Sequence, residues 1–371
     1  MLRLSIKQLM AERTRFWLGT AGISAAVALI LSMQAIFAGV HEQLARFVRH
    51  SGGDLIVAQE GVRNLYLAHS SLPEGTLERV RRLQGVEEVV PVLMMPASLK
   101  LGGATANTWL VGIPDTAKFG GPWSIKDGMK WPAGENVVLD AHLAKEHKVS
   151  VGDEVEIAGK PFRVGGLSNE TSRLGSVMTF VSLSEVHRAF GMKPSQVSYL
   201  FVRLGPGASA QEVAAAVRDA APGTHAMTRQ EVIENDIKLS ADMGGDSIQA
   251  MTTIALFIGL LSVGVTVFAN VSERIRDYAV LKTVGAGRGV LFQMVVLQAV
   301  SLATFGYIAG SGLILLIAPV ISTAPMPLPL LMVVKPSQML ANLPLCLFVG
   351  VASALVPWLK VARVEPMSVF Q

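Results

Sequence analysis

The residues best placed to do chemistry are the charges of "SERIRDYAVLKTVGAGRG", residues 272–289. Glu273, Arg274, Arg276, Asp277 and Lys282 stand there between two apolar runs, "TTIALFIGLLSVGVTVFANV" before and "VLFQMVVLQAVSLATFGYIAG" after. Mixed signs on a short helix offer charge-assisted hydrogen bonds to a protein partner, not bond making. Elsewhere the catalytic residue types are scattered. Of His41, His50, His69, His142, His147, His187 and His225, only His142 and His147 are near neighbours, and a spacing of five takes them off one helical face. The chain has no His-Glu-x-x-His pattern and no Gly-x-Ser-x-Gly elbow. No catalytic residue, metal site or enzymatic activity is therefore expected.

The elements that must hold those charges follow from composition. The chain of 371 residues is 51% apolar and 16% charged, with a mean hydropathy of +0.45. Soluble domains carry about a quarter charged residues. The apolar surplus lies in four blocks, 16–40, 251–271, 290–321 and 343–359, none of which contains Asp, Glu, Lys or Arg. Each is long enough to cross a bilayer, which takes roughly 17–25 helical residues. The first block is too long for a signal peptide and reads as a retained anchor.

Lys and Arg near span ends favour the cytoplasm. Arg3, Lys7, Arg13 and Arg15 precede the first block, Arg274, Arg276, Lys282 and Arg288 lie between the second and third, and Lys360 and Arg363 follow the fourth. The loop 322–342 has only Lys335, and Trp17 and Trp358 suit an aromatic belt. The expected protein is a multi-pass cell-membrane protein whose segments 1–15 (an amphipathic lead-in), 272–289 and 360–371 are cytoplasmic, so that both termini are inside. Residues 41–250 and 322–342 are expected outside. Lipid is the expected surrounding, and no nucleic-acid partner is expected.

The stretch 41–250 has no cysteine; Cys346 lies in the fourth block. Packing, not disulfides, must stabilise it. Strands are expected at "DLIVAQ" (54–59), "VEEVVPVLMM" (86–95) and "SYLFVRL" (198–204). A helical stretch separates the first two, and a second helix follows the last, opened by a Ser209/Glu212 capping box and closed at Pro222–Gly223. Residues 108–183 read as short strands, with a hairpin in "EVEIAGKPFRV". The expected fold class is an α+β membrane protein: four transmembrane helices and, between the first and second, a large α/β domain, βαβ-like with an inserted β-rich subdomain. A Thr228/Glu231 capping box opens an amphipathic stalk helix toward the second span, with Gly244–Gly245 as a hinge or kink.

Within 272–289 a short amphipathic helix is expected. Ser272 would be its N-cap and Glu273 would lie in its first turn. Ile275, Tyr278 and Ala279 would share one face, and Gly285 would be its C′ residue. Two further features fall on the spans. Gly306, Gly310 and Gly312 suit close helix packing. Met33, Phe37, Met243 and Met251 cluster at the outer ends of the first two spans and are a candidate substrate groove, since methionine adapts to irregular apolar surfaces.

The segment "SERIRDYAVLKTVGAGRGVLFQMVVLQAVSLATFGYIAG" resembles the ER-x-R-E-x-x-x-L-K-x-x-G-A stretch of MacB/FtsX-type (type VII) ABC transporter permeases. "LRLSIKQLMAERTRFWLGTAGISAAVAL", "GGDLIVAQEG" and "PWLKVARVEPMSVF" resemble the first span, the start of the extracytoplasmic domain and the C-terminal ending of that group. Asp277–Tyr278 departs from its usual Glu–Ile. No phosphate loop Gly-x-x-x-x-Gly-Lys-[Ser/Thr] occurs in the 371 residues, so the resemblance implies a separate ABC ATPase subunit that binds ATP and Mg, with no cofactor in this chain. It also implies a permease homodimer and a periplasmic adaptor as a further partner. Glu273, Arg274, Arg276, Asp277, Lys282 and Gly285 would couple the ATPase stroke to the outside domain, to expel or extract an amphiphile, peptide, lipoprotein, drug or haem. The alternative it implies is an FtsX-like regulator that transports nothing and activates a cell-wall hydrolase.

Overall fold

The computed structural model describes residues 13–65, 68–173, 176–273, 275–324 and 331–362. The expectations for residues 1–12, Arg274 and 363–371 fall outside the described residues. The chain divides into two compact units: a helical one of residues 1–39, 244–323 and 332–371, and one of residues 40–243 and 324–331.

The elements, in chain order, are α1 (Arg13–His50), β1 (Leu55–Gln59), α2 (Thr76–Arg81), β2 (Val86–Leu101), β3 (Ala104–Ile113), β4 (Ile125–Gly128), β5 (Asn136–Asp140), α3 (Ala141–Glu146), β6 (Glu154–Ile157), β7 (Lys160–Ser168), β8 (Ser172–Arg173) and β9 (Ser176–Ser182). They continue with α4 (Leu183–Phe190), β10 (Tyr199–Leu204), α5 (Ala210–Ala220), β11 (Thr224–Thr228), α6 (Arg229–Glu273), α7 (Ile275–Thr283), α8 (Arg288–Thr323), α9 (Pro336–Ser353) and α10 (Leu355–Ala362).

The α/β domain is built on the strand order β11-β1-β10-β2-β3-β9-β5-β7-β4. β10 is antiparallel to both β1 and β2, and β1 is antiparallel to both β10 and β11. The strands of β1-α2-β2 and of β10-α5-β11 are therefore parallel but never adjacent: each unit inserts a strand between the strands of the other, a split βαβ pair. The β-rich part, β3 to β9, enters between β2 and β10. The strand β2 serves both halves, pairing β10 over Val86–Val92 and β3 over Leu93–Leu101. The expected β6–β7 hairpin forms, with Ala158 and Gly159 at φ 50° and 78° in its turn.

The central strands β1 and β10 are buried at four successive positions, Leu55–Ala58 and Tyr199–Val202, because both sheet faces are covered there. Leu55, Val57, Leu200 and Val202 pack on one face with Val213 and Val217 of α5. Ile56, Ala58, Tyr199 and Phe201 pack on the other with Ala45, Phe47 and Val48 of α1 and Val232 and Ile233 of α6. The capping box at the start of α6 is reciprocal: Glu231 N–H donates to Thr228 Oγ1 (3.2 Å) and Thr228 N–H to Glu231 Oε2 (2.7 Å). One turn on, the buried Asp236 carboxylate accepts the Leu65 N–H at 2.9 Å, which ties the loop after β1 to this helix.

Among the described residues four helical stretches are long and apolar enough to cross a membrane: 16–50, 249–273, 288–322 and 336–362. They meet through small residues. A Cβ on Gly19 or Gly22 of α1 would lie 2.6 or 2.1 Å from the side chains of Thr266 or Ser262 of α6. On α8, a Cβ on Gly306 would lie 2.4 Å from Ile23 Cγ2 and one on Gly310 2.7 Å from the Ser24 carbonyl oxygen, both on α1. Ser24 Oγ adds a hydrogen bond to the Gly306 carbonyl at 3.2 Å. A Cβ on Gly350 of α9 would lie 3.1 Å from the Ala303 Cβ. Gly312, grouped with Gly306 and Gly310 by the sequence, has nothing within 4 Å. Dispersion and close backbone approach carry such packing, because lipid offers helices no hydrophobic driving force toward each other.

The Gly244–Gly245 pair lies inside α6, and Gly244 makes room for the Phe37 ring, which would be 2.4 Å from a Cβ there. One local expectation is corrected. Ser272 is not an N-cap: it lies within α6, and its hydroxyl donates to the Phe268 carbonyl one turn back at 2.6 Å, the bond a serine makes inside a helix.

Candidate functional site

The charged stretch between the second and third spans is built around α7. Tyr278 and Ala279 are buried, 3% and 1% exposed, while Ile275 and Leu281 pack against the same core of the helical unit. The Tyr278 hydroxyl donates to Oε1 of Gln298 on α8 at 3.5 Å, and Gln298 is itself buried. The helix ends in a Schellman motif. Gly285 has φ +96°, its N–H donates to the Lys282 carbonyl (3.2 Å), and Ala286 N–H donates to the Leu281 carbonyl (2.9 Å). Only a residue that tolerates the left-handed region fits there.

The opposite face carries charge. Glu273, Arg276 and Asp277 are exposed, and Arg274 lies outside the described residues. Lys282 turns sideways, donating to the Ala362 carbonyl at the end of α10 at 3.4 Å. From α10, Lys360 Nζ donates to Ser272 Oγ at 2.7 Å and lies 4.4 Å from the Phe268 ring centroid. Trp358 meets Phe292 of α8 edge-on at 5.3 Å. The result is a short helix fixed on one face and at its end, presenting acids and bases on the other.

Two contributors escape a reading by sequence. Gln298 is one of two glutamines, with Gln293, within an apolar block, a signal that the block's hydropathy hides. Lys360 reads only as a topological charge.

The groove residues are dispersed in exposure. Met33 and Phe37 are half-buried, Phe37 against Gly244, whereas Met243 and Met251 are exposed. None of the four lines the small cavity of about 40 Å³ among the spans, which is bounded by residues such as Ile23, Val27, Leu256, Tyr307, Asn342 and Cys346. Beside it Asn342 Nδ2 donates to Gln34 Oε1 at 2.8 Å, joining α9 to α1. Among the described residues no group of three His, Cys, Asp or Glu is placed to hold a metal ion.

Four spanning helices with an α/β domain between the first and second, and a braced, charge-faced helix between the second and third, define a membrane permease-like architecture. Residues 16–220 match the MacB-like periplasmic core domain family and residues 250–366 the FtsX-like permease C-terminal family. The chain belongs to this MacB/FtsX-type family of ABC transporter permeases. It is 21% identical over 370 residues to an uncharacterized ABC transporter permease of Mycobacterium bovis, covering 100% of this chain and 99% of that one. It is 23% identical over 398 residues to the macrolide export ATP-binding/permease protein MacB of Hyphomonas neptunium, covering 99% of this chain and 60% of that protein. The crystal structure of the periplasmic region of MacB from Actinobacillus actinomycetemcomitans is similar to it at 15% identity and a TM-score of 0.40, covering 51% of this chain and 94% of that one.

Proposed function

We propose that this chain is the permease subunit of an ABC exporter that carries ATPase-driven motion across the membrane to its α/β domain. The observation behind this reading is the mounting of α7, whose apolar face and Schellman end are fixed while Glu273, Arg276 and Asp277 stay exposed. A helix that merely connected two spans would need neither. A separate ABC ATPase docks on that charged face and binds ATP and Mg. Two permease chains and two ATPases make the working unit. Residues 272–289 and both termini lie in the cytoplasm and the α/β domain outside, as the distribution of Lys and Arg favours.

The spans carry no Asp, Glu, Lys or Arg at their centres, so no ion path of paired charges runs through them. Work is done on the substrate by the outside domain. The substrate is an amphiphile, peptide, lipoprotein, drug or haem, the classes that the family resemblance implies.

The direct experiment is reconstitution of the chain in lipid nanodiscs with a stand-alone ABC ATPase encoded beside its gene. The reading expects a stable complex in which the permease raises ATP hydrolysis. An ATPase that neither binds nor responds contradicts it.

A further inference from the structure

The helix α10 makes two lysine-mediated contacts with the segment that the proposed stroke would move. Lys360 reaches the end of α6, donating to Ser272 Oγ at 2.7 Å with its ammonium 4.4 Å from the Phe268 ring centroid. Lys282 reaches back from α7 to the Ala362 carbonyl of α10 at 3.4 Å. One lysine thus runs from α10 to α6 and one from α7 to α10. The contacts fall on both sides of α7, at residues 268–272 before it and at 282 in its last turn. A third contact keeps α10 itself in place: Trp358 packs edge-on against Phe292 at 5.3 Å, and Val361 is buried at 1% exposure.

A load on α7 can spread three ways: into the second span, into the third through Tyr278–Gln298, or into α10. Without the Lys360 contact, the end of α6 could tilt away from α10 while Lys282 held the far end. The helix would then rotate about its own C-terminus and not move as one body with the spans.

We propose that Lys360 is a positioning residue of the coupling device: through Ser272 and Phe268 it braces the junction of the second span with α7, so that α10 and α7 move together. This rests on the reading of α7 as the ATPase-facing helix, but the brace itself is tested without any ATPase.

The test is hydrogen exchange by mass spectrometry on the full chain in nanodiscs, comparing wild type, Lys360→Met, Lys360→Arg and Ser272→Ala. Methionine keeps the long apolar stem but loses the cation. Arginine keeps the cation over the ring and a donor for the hydroxyl. The brace predicts that Lys360→Met speeds exchange of peptides covering 268–284 about tenfold. Exchange in β10 and β1 should be unchanged. Lys360→Arg should restore protection, and Ser272→Ala should give a smaller loss in the same peptides. Unchanged exchange in Lys360→Met, or equal loss in Lys360→Met and Lys360→Arg, overturns the brace.

With the ATPase present, Lys360→Met should bind it normally yet lose permease-stimulated hydrolysis, and Lys360→Arg should keep both. Loosened exchange with normal stimulation would show that the contact does not serve coupling and would overturn the positioning role. Failure of the wild-type chain to bind or stimulate any ATPase would instead remove the functional reading, and the exchange result would stand by itself.

Discussion

Gly310 of α8 stands so close to Val27 of α1 that a Cβ at position 310 would lie 2.9 Å from the Val27 Cβ and 2.7 Å from the Ser24 carbonyl oxygen. The neighbour is backbone, which cannot turn aside. Gly310→Val should therefore push the first and third spans apart. Overpacking of this kind costs about 1–3 kcal/mol, read as a lowered Tm of the detergent-solubilised chain. Gly312, two residues away, has open space around it, and Gly312→Ala should leave Tm unchanged or slightly higher. Equal effects at the two positions would show that this packing is not what holds the spans.

His225 provides a pH prediction in the α/β domain. Burial, and then the positive charges of Arg63 and Arg218, hold its imidazole below its ordinary value of 6.5. Its protonated form is therefore disfavoured in the folded chain relative to the unfolded one. Between the lowered value and 6.5 the unfolded state binds more protons, so stability rises with pH in that window. The contribution is complete above pH 6.5 and lost as pH falls through the window. Urea unfolding followed by tryptophan fluorescence should show the domain weaker at about pH 5.5 than at about pH 7.5. His225→Gln should flatten that difference; an unaltered pH slope in the variant would assign it to other groups.

Orientation is checked by thiol labelling in intact cells, in a Cys346→Ala background. Lys160 lies on the β6–β7 hairpin and Gly287 between α7 and α8. Lys160→Cys should react with a membrane-impermeant maleimide and Gly287→Cys only after the cells are opened. The reverse pattern would invert the topology and move the α/β domain to the ATPase side.

The parts of the fold legible in the sequence are those where one physical signal acts alone. Four uncharged apolar blocks mark four spanning helices. Thr228 and Glu231 mark a helix start, and Gly285 a helix end. Legibility fails where two requirements overlap in one stretch. Residues 41–50 carry Glu42, Arg46 and Arg49, so the hydropathy run stops, yet α1 continues to His50 because Leu44, Phe47 and Val48 bury one face. The helix that carries the fourth apolar block begins at Pro336, ahead of residue 343, and takes in Asn342, which lowers the local hydropathy while pairing with Gln34. The helix pattern of 229–273 runs through Gly244 because the Phe37 ring fills the space a side chain would need, a contact 207 positions away and invisible locally. For the site, the sequence shows the charges Glu273, Arg276 and Asp277, which are exposed, but not the fixtures Gln298 and Lys360, since their partners lie on other helices. The interlocking of the two βαβ units is likewise a long-range strand choice that no local pattern encodes.

The central claim is that the charged face of residues 273–277 receives the ATPase. The measurement that tests it most directly is co-purification and permease-stimulated ATP hydrolysis of Glu273→Lys and Arg276→Glu, with Lys335→Glu in the loop between the third and fourth spans as control. Substitutions on an exposed helix face change stability by less than about 0.5 kcal/mol, so expression and Tm should hold. A desolvated interface charge pair behaves differently, losing roughly 2–5 kcal/mol when one partner is removed. The account predicts that both face variants lose ATPase binding, or keep it and lose stimulation, while the control keeps both. Normal binding and normal stimulation in both face variants would show that α7 is only a connection between two spans.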